Sequence, residues 1–75
     1  MDNITKQRHI VEGARSTIRG LRTQARNLSA EMLGIAKSDI VNDEEALRYV
    51  TLAGQLAGLA HGAEEILASL DWINA

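Results

Sequence analysis

The sequence predicts an all-α fold: an antiparallel two-helix hairpin that assembles into a homo-oligomeric helical bundle. Three observations predict it. The 75 residues include no Pro, so no position forces a break inside a helix. Apolar residues recur at helical spacing in two long stretches, and no period-two cluster of β-branched or aromatic residues interrupts them. Only about four to six residues separate the stretches, a length that sets neighbouring helices antiparallel. The expected elements are helix 1 over about residues 3–37 and helix 2 over about 43–73, together a single hairpin domain over 1–75. Each arm should be about 45 Å long, at about 1.5 Å per residue.

In the first stretch Ile4, Val11, Ile18, Ala25 and Met32 recur every seven residues. Gln7, Ala14, Leu21, Leu28 and Ile35 take the interleaved positions. This is an a/d seam interrupted only by Gln7. Asp2 or Asn3 can cap its start, and Gly34, Ser38 and Asp39 weaken the helix at its end.

The second stretch has the sharper start signal. In "NDEEA", Asn42 stands at the N-cap and Glu45 at N3, the spacing of a capping box, and Asp43 and Glu44 suit the positive end of the helix. Its core face is expected at Tyr49, Leu52, Leu56, Leu59, Ala63, Ile66, Leu70 and Ile73, with Ala53, Ala60 and Leu67 on one flank.

Charge divides the chain. Residues 1–37 hold seven bases against three acids, giving +4, and residues 38–75 hold Arg48 against seven acids, giving −6. Such halves suit each other, and the acidic total argues against a simple nucleic-acid binder. Within the basic half, Arg15, Arg19, Arg22 and Arg26 form a stripe along one shoulder of helix 1, with Arg8 behind them. A stripe of this kind is either a solvated or salt-bridged flank or a binding surface. All five are Arg, the residue suited to bidentate contact with carboxylate or phosphate. With the turn near residue 40, Arg15 should lie level with Glu64 and Glu65. Arg19, Arg22 and Arg26 should lie level with residues 54–61, where there is no acid. Those three are expected to point to water or to hold an anion or acidic partner from outside the chain.

Gly54, Gly58 and Gly62 are four residues apart on the side of helix 2 opposite its leucines, which they share with Leu47, Val50, Ala57, His61, Ala68 and Trp72. Each interior Gly costs about 1 kcal/mol of helix propensity relative to Ala. The spacing is the small-xxx-small pattern that lets helix backbones approach closely. From Tyr49 to Ala63 the helix has no charged residue on any face. An oligomer interface is therefore expected at Gly54, Ala57, Gly58, Gly62 and Trp72. A chain of this length buries little surface alone, and with no Cys for a disulfide, oligomerisation is the remaining staple.

Candidate chemistry is sparse. His9 and His61 fall in different helices with no Cys and no acid at triad spacing, so neither a catalytic centre nor a metal or cofactor site is expected. His61 is a candidate ligand contact among the glycines. The serines lack a nucleophile motif, and no glycine cluster forms a phosphate loop after a strand. The start "MDNITKQRHI" has no apolar signal core, and no run is long enough to span a membrane, so a cytoplasmic protein is expected.

"KQRHIVEGAR" (Lys6 to Arg15) and "LRYVTLAGQLAG" (Leu47 to Gly58) resemble two segments of the phage anti-defence hairpin family, which includes cyclic-nucleotide sponges that blunt CBASS and Thoeris immunity. The first family segment reads Gln, two basic or His residues, an aliphatic, then Gly, an aromatic and Arg. These fall on Gln7, Arg8, His9, Val11, Gly13, Ala14 and Arg15. The second carries Arg followed by an aromatic at the head of the second long helix, here Arg48 and Tyr49. The likeness covers about a third of the chain, and Ala14 stands where the family has Tyr. The resemblance implies a non-enzymatic hairpin oligomer that sequesters a nucleotide second messenger, with basic side chains on phosphate and an aromatic on the base.

The expected function is that of a small non-enzymatic inhibitor or regulator of phage or mobile-element type. Its oligomer would offer Arg8, Arg15, Arg19, Arg22 and Arg26, with His61, to an acidic protein surface. The alternative is a sponge in which Arg19, Arg22 and Arg26 meet the glycine face or His61 of another subunit around a phosphorylated ligand. Nucleic-acid binding ranks third, and no membrane contact is expected.

Overall fold

The computed structural model describes residues 3–73. Helix α1 runs Asn3–Ala36 and helix α2 runs Asp43–Ile73. The two pack along their lengths into a rod of 59 × 16 × 12 Å, and there is no strand among the described residues. Contacts far apart in sequence fix the antiparallel pairing. Ser29 Oγ donates to the Ala53 carbonyl at 2.8 Å near the turn, and Arg15 reaches Leu70 toward the open end.

Local chemistry sets the helix ends. Asn42 Oδ1 accepts from the Glu45 amide at 2.8 Å, and Asn42 Nδ2 donates to Glu45 Oε1 at 2.9 Å. The cap therefore satisfies one of the amides that a helix start leaves open, and the Glu45 carboxylate steadies the capping side chain. At the end of α1, the Ser38 amide and hydroxyl both donate to the Ile35 carbonyl, at 3.0 and 2.6 Å, after Lys37 has closed the last turn onto Leu33. No described residue takes a positive φ, so the six-residue connection reverses the chain without a left-handed glycine. Asn3 is already helical, and the alternative cap at Asp2 lies outside the described residues.

The hairpin closes on a different seam from the expected one. On α1 the inward row is Val11, Arg15, Ile18, Arg22, Ala25, Ser29, Met32 and Ala36. On α2 it is Ala46, Tyr49, Ala53, Leu56, Ala60, Ala63, Leu67 and Leu70. Every one of these is buried or half-buried. Both rows keep the seven-residue repeat, and Ala14 and Ile35 of the expected α1 row stay half-buried, but elsewhere the second position has moved from d to e, which turns each helix by about half of one 100° residue step.

Four α2 residues expected in the core are thereby left out. Leu52, Leu59, Ile66 and Ile73 are 46, 57, 48 and 57% exposed, and on α1 Leu21 and Leu28 are 45 and 42% exposed. The residues that reach full burial are Val11, Ala25, Ala53, Ala60 and Ala63.

Side-chain size explains the choice. Alanine and serine hold the helices close enough for the short Ser29 side chain to reach a backbone carbonyl of α2. Arg15 and Arg22, both half-buried, contribute their aliphatic stems to the seam. The cost is a thin interior, because each half-exposed Leu or Ile leaves about 1 kcal/mol of burial unrealised.

Candidate binding surfaces

Two right-handed helices that run antiparallel place the same angular side of each on one broad face of the pair. With the seam at a and e, positions b and f of both helices share one face and position d of both shares the other. The first is an arginine face, with Arg19 and Arg26 of α1 beside Ala57, His61, Glu64 and Asp71 of α2. The second is a leucine face, with Leu21 and Leu28 beside Leu52, Leu59, Ile66 and Ile73. Ion pairs across the seam occur on the arginine face: Arg15 Nη2 lies 3.1 Å from Asp71 Oδ1, and Arg26 pairs with Glu64.

These pairs change the expected role of the stripe. Arg15 meets Asp71, about two turns beyond Glu64 and Glu65, and its Nη2 also donates to the Leu70 carbonyl at 3.5 Å. Arg26 has an acid on its own chain, because a long side chain spans the offset that separates it from Glu64 along the helix axis. Arg8, Arg19 and Arg22 form no ion pair among the described residues. Arg22 is half-buried, and its Nε is enclosed with no hydrogen-bond partner. Arg15 Nε is likewise unsatisfied, although its guanidinium terminus is engaged.

His61 is exposed on the same face, with Nε2 3.0 Å from Glu65 Oε1 one turn along the helix. It borders a shallow, open depression of about 260 Å³ lined by Arg26, Ser29, Ala57, Ala60, His61 and Glu64. The depression brings together the expected binding residues Arg26 and His61 and the expected interface residue Ala57 with Glu64, which was expected beside Arg15 instead, and with Ser29, which the sequence reading did not single out. Arg26 already neutralises its acid, so the site offers hydrogen bonds and a small apolar floor more than it offers net positive charge. No group of three or more His, Cys, Asp or Glu gathers at metal-binding distance among the described residues.

Gly54, Ala57, Gly58 and Trp72 are exposed, and Gly62 is half-buried. A Cβ added at any of the three glycines would meet nothing within 4 Å. Within the hairpin, then, no close approach requires glycine there. Trp72, 85% exposed, also makes no anchor within its own chain. The leucine face was missed as a surface because its residues were assigned to the core. The available signal was the second seven-residue row on each helix, more than one hairpin seam can absorb.

No protein-family model matches the chain, and no curated protein or solved structure shows significant similarity to it. No helix among the described residues is long and apolar enough to cross a membrane.

Proposed function

We propose that the chain is a non-enzymatic helical-hairpin binding protein, an inhibitor or regulator of phage or mobile-element type. In this reading it works as a homo-oligomer and sequesters an acidic protein partner through its arginine face. The observation that carries the reading is Arg19, exposed on the arginine face and without an ion pair among the described residues, next to the half-buried Arg22. An exposed guanidinium with no acid of its own is free to take a partner's carboxylate in a two-pronged, charge-assisted contact.

The test is a pulldown from bacterial lysate with the wild-type chain and with Arg19→Glu/Arg22→Glu. A partner held by the wild type, released by salt and absent with the variant is the expected result. Identical captures from both would remove the arginines from the reading.

The second reading is a sponge for a phosphorylated nucleotide second messenger, and the depression beside Arg26 and His61 favours it. Its volume lies slightly below the usual range of ligand pockets, about 300–1,000 Å³. An anion there must also displace Glu64 from Arg26. A thermal-shift screen with cyclic dinucleotides and ADP-ribose derivatives separates the two readings. A ligand at a hundred times its dissociation constant stabilises by about 2.7 kcal/mol, and a flat response across the panel rules the sponge out.

A further inference from the structure

We infer that the leucine face is the contact surface of a symmetric dimer and that its occupant is a second copy of this chain. The inference rests on the reading of the protein as an oligomer and deepens it, because it moves the interface from the glycine side of α2 to a face built jointly by both helices.

Area supports a second copy. The hairpin is 59 by 16 Å across its broad face, about 900 Å² in plan, close to the roughly 800 Å² that each partner contributes to a stable interface. Relief supports it as well. Ser29 is level with Ala53 and Arg15 with Leu70, so Leu21 falls between Leu59 and Ile66, and Leu28 between Leu52 and Leu59. The two rows therefore form a staggered ladder of branched aliphatics along the rod, all of them 42–57% exposed. A copy carrying the same ladder can interleave with it, as in the core of a four-helix bundle.

Charge at the edges fixes the orientation. The outer edge of this face carries Ile10, Thr17, Gln24 and Glu31 on α1, and Arg48, Gln55, Gly62 and Ser69 on α2. A two-fold axis parallel to the rod keeps both turns at one end and lays α1 of each copy against α2 of the other, antiparallel. Glu31 then lies about one turn from Arg48 of the second copy, and Thr17 comes level with Ser69 of the second copy. The other two-fold choice, with turns at opposite ends, sets Glu31 against the apolar Ile10. The contact is isologous and closes at two subunits. It leaves the arginine face of each copy outward and accessible.

Sedimentation equilibrium and disulfide trapping test the arrangement. The wild-type chain should sediment at twice its 8.2 kDa at micromolar concentration, and Leu28→Glu/Leu59→Glu should sediment as a helical monomer. The chain has no Cys of its own, so an equal mixture of Thr17→Cys and Ser69→Cys chains should oxidise mainly to the mixed disulfide. A monomeric wild type overturns the inference, as does a dimer that persists in the double glutamate variant. Disulfides chiefly between two Thr17→Cys chains overturn the orientation. If the glutamate variant fails to fold, the cysteine chains decide, because neither position lies in the aliphatic rows. The Arg19→Glu/Arg22→Glu chain should remain dimeric even if it captures no partner, so failure of the dimer and failure of the binding reading are told apart.

Discussion

The two broad faces of the hairpin are made from the same two helices and solve opposite problems. The arginine face is partly neutralised within the chain by Arg15 with Asp71 and by Arg26 with Glu64, ion pairs that tolerate water, and leaves Arg19 unpaired among the described residues. The leucine face has no polar device along its centre, and its six branched aliphatics stand about half exposed. A soluble monomer seldom exposes a contiguous apolar strip of that extent without a use for it. The difference teaches that the interior of the hairpin and the hydrophobic content of the sequence are separate things. Alanines hold the pair together, and the leucines remain available for another surface.

The largest expected effect comes from the leucine face. Leu28→Glu/Leu59→Glu should lower association free energy by about 2–4 kcal/mol, the range of interface hot spots, and analytical ultracentrifugation reads it as loss of the dimer. The same pair of substitutions placed on the other face, at Ala57 and His61, should leave the mass unchanged. Next is the seam itself. Ala60→Leu forces a large side chain between closely packed helices and should destabilise the fold by about 1–3 kcal/mol, measured as a fall in the urea midpoint.

Gly58→Ala sharpens the contrast from the other side. With open space around the missing Cβ, the substitution should stabilise α2 by about 1 kcal/mol in thermal melts. Loss of stability or of assembly would instead place a neighbour against the glycines. Asn42→Ala belongs to neither face and should cost about 1 kcal/mol through the lost cap, with the dimer mass intact. Last is Asp71→Asn. Asp71 is 72% exposed, so screening by water and salt keeps the change in Tm small.

Much of the architecture was legible in the sequence because it is local. The absence of Pro, the Asn42–Glu45 cap and the loss of helical pattern after Ile35 act through neighbouring residues, and they give two helices and a reversal. The choice of seam was not legible in the same way. Tyr49, Leu56, Ala63 and Leu70 belong equally to the expected row with Leu52 and Leu59 and to the observed row with Ala53 and Ala60. Hydrophobicity favours the first row, and closeness of approach selects the second.

Counting Arg15 and Arg22 as polar hid the contribution of their stems to the core, so both read as part of the arginine stripe on the shoulder of helix 1. The partnership of Arg26 with Glu64 was obscured for a related reason. Comparing helix levels alone takes no account of how far a guanidinium reaches along the axis. The enclosed Nε of Arg22 has no sequence signature, since it depends on which side of the seam the alanines occupy.

The most direct test of the central claim compares the two faces in the unmodified protein. Methyl groups and glycine Hα atoms can be followed by NMR while a soluble paramagnetic probe is added at a concentration where the protein is assembled. The leucine face should be screened: methyls of Leu21, Leu28, Leu52, Leu59 and Ile66 should keep their intensity while Ala57, Ala68 and Gly58 broaden strongly. Equal broadening on both faces, or protection confined to Gly54, Gly58 and Ala57, would contradict a dimer closed through the leucines.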